Sequence, residues 1–167
     1  MTNKMGTTNE KWLNDLSEGE KGERVVAEFF KKRFGLDDIS YNNNSEYDFK
    51  GRKDGRTIYF EVKTDRYEYF KEQKTFNMFI EITCSGKPSG ILTSKADHFV
   101  YYYPDLEELY IIPMDELRML CIKEEIQLTS MSGDGGRTEG YLVHRNLWKD
   151  KFKVYSVKKD TDIWRSK

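Results

Sequence analysis

The sequence has 167 residues, 37% of them hydrophobic and 14% aromatic, enough for one domain to bury a core without disulfides or a structural metal. Charged residues make up 34%, but 28 Lys and Arg nearly cancel 29 Asp and Glu, and the net charge is -1. That balance excludes a protein that grips nucleic acid by bulk positive charge, while leaving room for local basic patches around an acidic, cation-filled site.

Residues 1–16 are polar and read as a tail, with one domain over 17–160 and a second tail at 161–167. No apolar leader precedes the domain and no run reaches membrane-span length, so a cytoplasmic protein without membrane contacts is expected. Cys84 and Cys121 stand apart among apolar or β-branched neighbours and read as buried free thiols of a reducing compartment. No CxxC or Cys/His spacing suggests zinc.

In chain order, Ser17-Glu18-Gly19-Glu20 has the form of a capping box. A helix is expected from there to about Arg33, ending at Gly35. Val25, Val26, Ala27, Phe29 and Phe30 form its inner face. Glu23 precedes Val26, Ala27 and Phe30 by three, four and seven residues, which puts it at the edge of that face. Glu28 points the opposite way. Tyr41–Ser45 reads as a loop and Glu46–Lys50 as a short strand. Asp54-Gly55 is a hairpin signal, and Thr57–Thr64 is the return strand. Ile58, Phe60 and Val62 alternate there with Tyr59, Glu61 and Lys63.

Tyr67–Thr75 reads as a short helix or loop, and Asn77–Cys84 as a strand. Gly86–Gly90 breaks it, and Ser94–Asp97 is expected to make one helical turn. Phe99–Tyr103 and Leu109–Ile112 form a strand pair around Pro104-Asp105. Met114–Glu124 is a helix with Leu117, Leu120 and Cys121 inward. Thr129–Gly140, with Ser-Gly-Asp-Gly-Gly, reads as a flexible loop. Tyr141–His144 and Phe152–Val157 are short strands. The expected architecture is α/β, a mixed β-sheet flanked by helices.

One constellation in this layout carries chemistry. A hairpin sets Asp48 beside Glu61 and Lys63, so that two carboxylates converge with an ammonium next to them. Carboxylate oxygens hold hard cations such as Mg²⁺, with water and substrate phosphate filling the remaining positions. A cation so held polarises a phosphoryl group and acidifies bound water, and the lysine orients that water or offsets the transition-state charge. Glu23 can complete the cation shell directly or through water. Arg52, Lys53 and Arg56, at the hairpin tip, are candidate phosphate contacts, with simple solvation an equal use of them. Glu81 faces either the same site or an edge, and Gln73 either the site or solvent. Tyr101-Tyr102-Tyr103 serves either sheet packing or base stacking.

Gly22-Glu23, Tyr47-Asp48 and Glu61-Val62-Lys63 together resemble the PD-(D/E)xK nuclease superfamily, in wording close to its Holliday-junction-resolvase-like and restriction-endonuclease-like members. The match runs from about residue 17 to 65, and loosely to about 112. Tyr47 stands where the motif has proline. The resemblance implies a restriction-endonuclease-like core and a metal-dependent DNA endonuclease, including one that acts on branched DNA. It implies Mg²⁺, replaceable by Mn²⁺, bound by Asp48, Glu61 and the Val62 carbonyl, with Lys63 assisting catalysis. No small-molecule cofactor is called for. The alternatives are a nucleic-acid-binding module of the same fold without activity, or a restriction or repair nuclease. Cutting both strands takes two sites, so a homodimer is expected; the aromatic stretch Phe99–Ile112 offers it apolar surface, or else packs within the monomer.

Overall fold

The computed structural model of the protein describes residues 17–65, 77–123, 126, 128–133 and 136–158. The expected tails at 1–16 and 161–167, and the Tyr67–Thr75 segment with Gln73, lie outside these residues.

The first helix, α1 (Glu18–Phe34), starts where the capping box puts it. The Ser17 hydroxyl accepts from the Glu20 N–H at 3.2 Å, and the Glu20 carboxylate accepts from the Ser17 N–H at 2.8 Å. Two of the helix's orphan donors are thereby satisfied. Gly35 stops it in the left-handed region at φ 69°. Val25, Val26, Ala27 and Phe30 are buried, as the helical spacing requires.

Six strands make the main sheet. They are β1 (Asp37–Tyr41), β2 (Phe49–Lys53), β3 (Arg56–Thr64), β6 (His98–Tyr103), β7 (Glu108–Pro113) and β10 (Lys153–Ser156). Their order is β1-β2-β3-β6-β7-β10. β3 and β6 run parallel and every other neighbouring pair antiparallel, which makes the sheet mixed. β1 was not legible in the sequence, because at an edge its residues are mostly exposed and its apolar alternation is limited to Ile39 and Tyr41. The strand expected at Glu46–Lys50 begins only at Phe49, which leaves Asp48 just ahead of the ladder.

A second, antiparallel sheet has the order β5-β4-β9-β8, from β4 (Met78–Cys84), β5 (Lys87–Pro88), β8 (Leu128–Gly133) and β9 (Gly136–Val143). This corrects the loop expected over Thr129–Gly140, most of which is the β8–β9 hairpin. Gly140 is used for close approach. A side chain at Gly140 would start 2.3 Å from the Ile80 carbonyl oxygen and 2.8 Å from the Phe79 ring. The turn expected at Ser94–Asp97 is also displaced: the short 3-10 turn is Gly90–Leu92, and Ser94–Ala96 run on without helix. Among the described residues, two further α-helices follow, α2 (Met114–Lys123) and α3 (Arg145–Trp148).

β6 is the centre of the core and packs on both faces. Val100 and Tyr102 join the cluster under α1, with Val26, Phe49, Phe60 and Leu109. Phe99, Tyr101 and Tyr103 join the cluster that holds Met78 and Ile80 of the second sheet and Trp148 of α3. The result is α1, the mixed sheet, then the second sheet with α2 and α3. Tyr101, Tyr102 and Tyr103 are fully buried, so the tyrosine run is packing rather than a stacking platform. The aromatic residues of Phe99–Ile112 are likewise core, so of the two uses weighed for them packing within the monomer is the one observed.

α1 meets β3 at Gly22, where an added Cβ would sit 1.7 Å from the Thr64 hydroxyl oxygen. Gly22→Ala is therefore expected to destabilise the fold by about 1–3 kcal/mol, read as a lower urea midpoint. Adding Thr64→Ala should recover part of the loss. An unchanged midpoint in the single variant would mean that the helix is free to slide along β3.

Candidate active site

The site is built where β3 outruns its neighbour. Phe49 at the start of β2 pairs with Phe60, so Glu61, Val62 and Lys63 extend past the first β2 residue. Asp48 fills the vacated edge. Its N–H donates to the Phe60 carbonyl at 2.9 Å. Its Oδ2 accepts from the Val62 N–H at 2.6 Å. In an extended strand the N–H and C=O of one residue lie on the same side, so the Val62 carbonyl opens onto the edge that Asp48 occupies. Tyr47, at the motif's proline position, packs edge-on against Tyr59 with ring centroids 4.8 Å apart.

Alternation then separates the functional side chains from the core. Phe60 and Val62 face α1. Glu61 and Lys63 face the other way, into an open cavity of about 400 Å³ that is also lined by Asp48 and by Glu81 of β4. Glu61 accepts from the Ser94 hydroxyl at 2.9 Å, and Glu81 from the Ser89 hydroxyl at 2.6 Å. Of the two uses weighed for Glu81, the cavity wall is the one observed. Ser94 was missed as a partner of Glu61, because a contact spanning 33 residues leaves no local signal.

Glu23 approaches from α1. It is half-buried, whereas Glu28 is exposed and pairs with Lys32 at 3.4 Å. Burial first, then the neighbouring Asp48 and Glu20 charges, push the Glu23 carboxyl up to about 8. Glu61 is pushed up to about 7 by burial and by Asp48, against the Ser94 hydrogen bond. Burial also raises Asp48, against the Val62 N–H. Burial is the leading cause of all three shifts, and for Glu23 and Glu61 the repulsion of neighbouring carboxylates adds to it.

Among the described residues, no three His, Cys, Asp or Glu side chains close around one point as a finished metal cage. The available donors are nevertheless all oxygens, two carboxylates and a backbone carbonyl. That set suits a hard divalent cation that keeps several of its waters.

The basic residues of the hairpin tip lie apart from this centre. Arg56 is seven residues from Lys63, about 23 Å along an extended strand. Arg52 and Arg56 are exposed. Lys53 is engaged within the fold, donating to the Phe34 carbonyl at the end of α1, where a cation also complements the helix dipole. His98 stacks on Phe60 and His144 caps α3, so the positions of both are accounted for by packing and capping.

No protein-family model matches the chain, and no curated protein matches it. Among solved structures it is similar to that of the bacterial homing endonuclease I-Ssp6803I, with a TM-score of 0.44 and 20% sequence identity, over 66% of this chain and 71% of that one.

Proposed function

We propose that the protein is a divalent-cation-dependent endonuclease that hydrolyses the phosphodiester backbone of DNA. One observation carries this reading: the Asp48 and Glu61 carboxyls line one open cavity together with Lys63. Asp48, Glu61 and the Val62 carbonyl would hold Mg²⁺ or Mn²⁺, with Glu23 alongside. When bound, the ion would supply Lewis acidity toward the phosphoryl group and toward water. Lys63 orients the attacking water and offsets the charge that builds up on the phosphoryl oxygens.

The test is incubation with supercoiled, linear and four-way-junction DNA, in Mg²⁺, in Mn²⁺ and in EDTA. Cleavage with either cation and none in EDTA is expected, and preference for the junction would assign the branched substrate. No cleavage of any of the three with either cation would overturn the reading. Cutting both strands in one encounter calls for a homodimer, which light scattering on the DNA-bound protein reads directly.

Arg52 and Arg56 serve this reading as remote phosphate contacts. Replacing both by Ala should weaken DNA binding and reduce the slope of log affinity against log salt by about 2. The rate at saturating DNA should not change. An unaltered salt slope would remove them from the DNA path.

A further inference from the structure

Ser94 is a buried polar side chain, only 5% exposed, and its hydrogen bonds converge on the two elements that carry the candidate ligands. Its Oγ lies 2.9 Å from Glu61 Oε2 and 3.3 Å from the Glu46 carbonyl oxygen, and it accepts from the Ala96 N–H at 3.2 Å. A hydroxyl has one proton to give, and the shorter, charge-assisted contact to Glu61 is the stronger claim on it. The neighbouring residues extend the clamp. The Lys95 N–H donates to the Glu46 carbonyl at 2.7 Å, two residues ahead of Asp48. Asp97 and Tyr59 exchange two hydrogen bonds, each of 2.9 Å, two residues ahead of Glu61. Residues 94–97 thus tie the Asp48 segment and the Glu61 strand to one support.

That support is held from behind by α2. Arg118 donates through Nη2 to the Ser94 carbonyl at 2.6 Å and through Nε to the Ile91 carbonyl at 2.9 Å. A planar guanidinium spans two carbonyls at once, which an ammonium cannot do in the same way. The third contact, to Asp115 at 3.1 Å, is to an exposed partner and adds little.

We infer that Ser94, with Arg118 locking the turn that presents it, is a positioning residue that aims the Glu61 carboxylate into the cavity for cation binding. The inference rests on the metal-dependent reading above. A hydrogen bond behind a ligating carboxylate selects which oxygen faces the ion, and the loss of such a partner typically costs 10–100-fold in metal affinity.

The test is calorimetric titration of the full chain with Mn²⁺, without DNA, alongside thermal melts. Ser94→Ala should raise the Mn²⁺ dissociation constant about 10-fold or more. Ser94→Thr, which keeps the hydroxyl, should restore most of the affinity. Arg118→Lys should weaken binding by a smaller factor, while Asp115→Ala should leave it unchanged. If Ser94→Ala fails to fold, the Arg118→Lys and Ser94→Thr pair still reads the effect. Parent-like Mn²⁺ affinity in folded Ser94→Ala, or in Arg118→Lys where Ser94→Ala does not fold, would overturn the positioning role and leave the nuclease reading intact. A parent protein that does not bind Mn²⁺ would overturn both.

Discussion

Asp48→Asn is expected to abolish DNA cleavage and to leave the fold at least as stable as the parent. The amide is isosteric, and its oxygen can still accept the Val62 N–H that Asp48 accepts at 2.6 Å, so the edge of β3 stays closed. What is lost is a negative charge in a half-buried cluster that already raises Glu23 and Glu61. Removing it relieves repulsion, and at pH 8 without divalent cations the melting temperature should hold or rise. Activity should fall by about 10³-fold or more, since two carboxylates are the least that fixes a cation at such a site. Lys63→Ala should lose about 10²–10³-fold in rate, the scale of removing one transition-state charge stabiliser, and its exposure makes a structural cost small. A gain in stability with a loss of function is what a site built from mutually repelling groups should give. Asp48→Asn cutting at the parent rate would place the chemistry elsewhere, and a large drop in its melting temperature would make Asp48 a structural residue.

In EDTA, stability should fall as pH rises from about 4.5 to 8. Glu23 and Glu61 hold their protons more tightly in the fold, with values of about 8 and about 7, than in the unfolded chain, where the ordinary 4.5 applies. Between those limits the native state binds more protons than the unfolded state, and linkage then makes stability decrease with pH. Their contribution is fully present below 4.5 and is lost as pH passes through 7 and 8. Glu23→Gln should flatten the upper part of that decline, because its amide cannot ionise. Divalent cation should oppose the decline throughout. At a hundredfold excess over its dissociation constant, a ligand specific to the native state adds about 2.7 kcal/mol, roughly 5–10 °C for a chain of this size. Melts at pH 5, 6.5 and 8, in EDTA and in Mg²⁺, read both effects. Stability that rises between pH 5 and 8 in EDTA would show that these carboxyls are not crowded as described.

Much of the candidate site is legible in the sequence. The capping box and Gly35 bounded α1, because each end of a helix leaves orphan groups that only certain residues satisfy. Helical spacing separated Glu23 from Glu28, and strand alternation put Glu61 and Lys63 on the face away from Phe60. Asp54-Gly55 joined β2 to β3 and so brought Asp48 level with Glu61. All of this lies within a segment of about fifty residues, where periodicity and turn chemistry act over short distances.

The sequence by itself determined the α/β class, the first helix, the hairpin that sets Asp48 beside Glu61 and the acidic character of the candidate site, since each depends on neighbours no more than a few turns or one hairpin away. Only the tertiary structure decided that Thr129–Gly140 pairs into β8 and β9, because a glycine-rich segment becomes a strand when β4 offers it a ladder, and at Gly140 the approach is too close for any side chain. The tertiary structure alone turned Phe99–Ile112 into core rather than interface, since a central strand packed on both faces and an exposed apolar strand can have the same composition. It alone put Glu81 into the cavity and Ser94 behind Glu61. The Ser94–Glu61 hydrogen bond spans 33 residues, and Glu81 reaches the cavity wall only because the second sheet packs against the first.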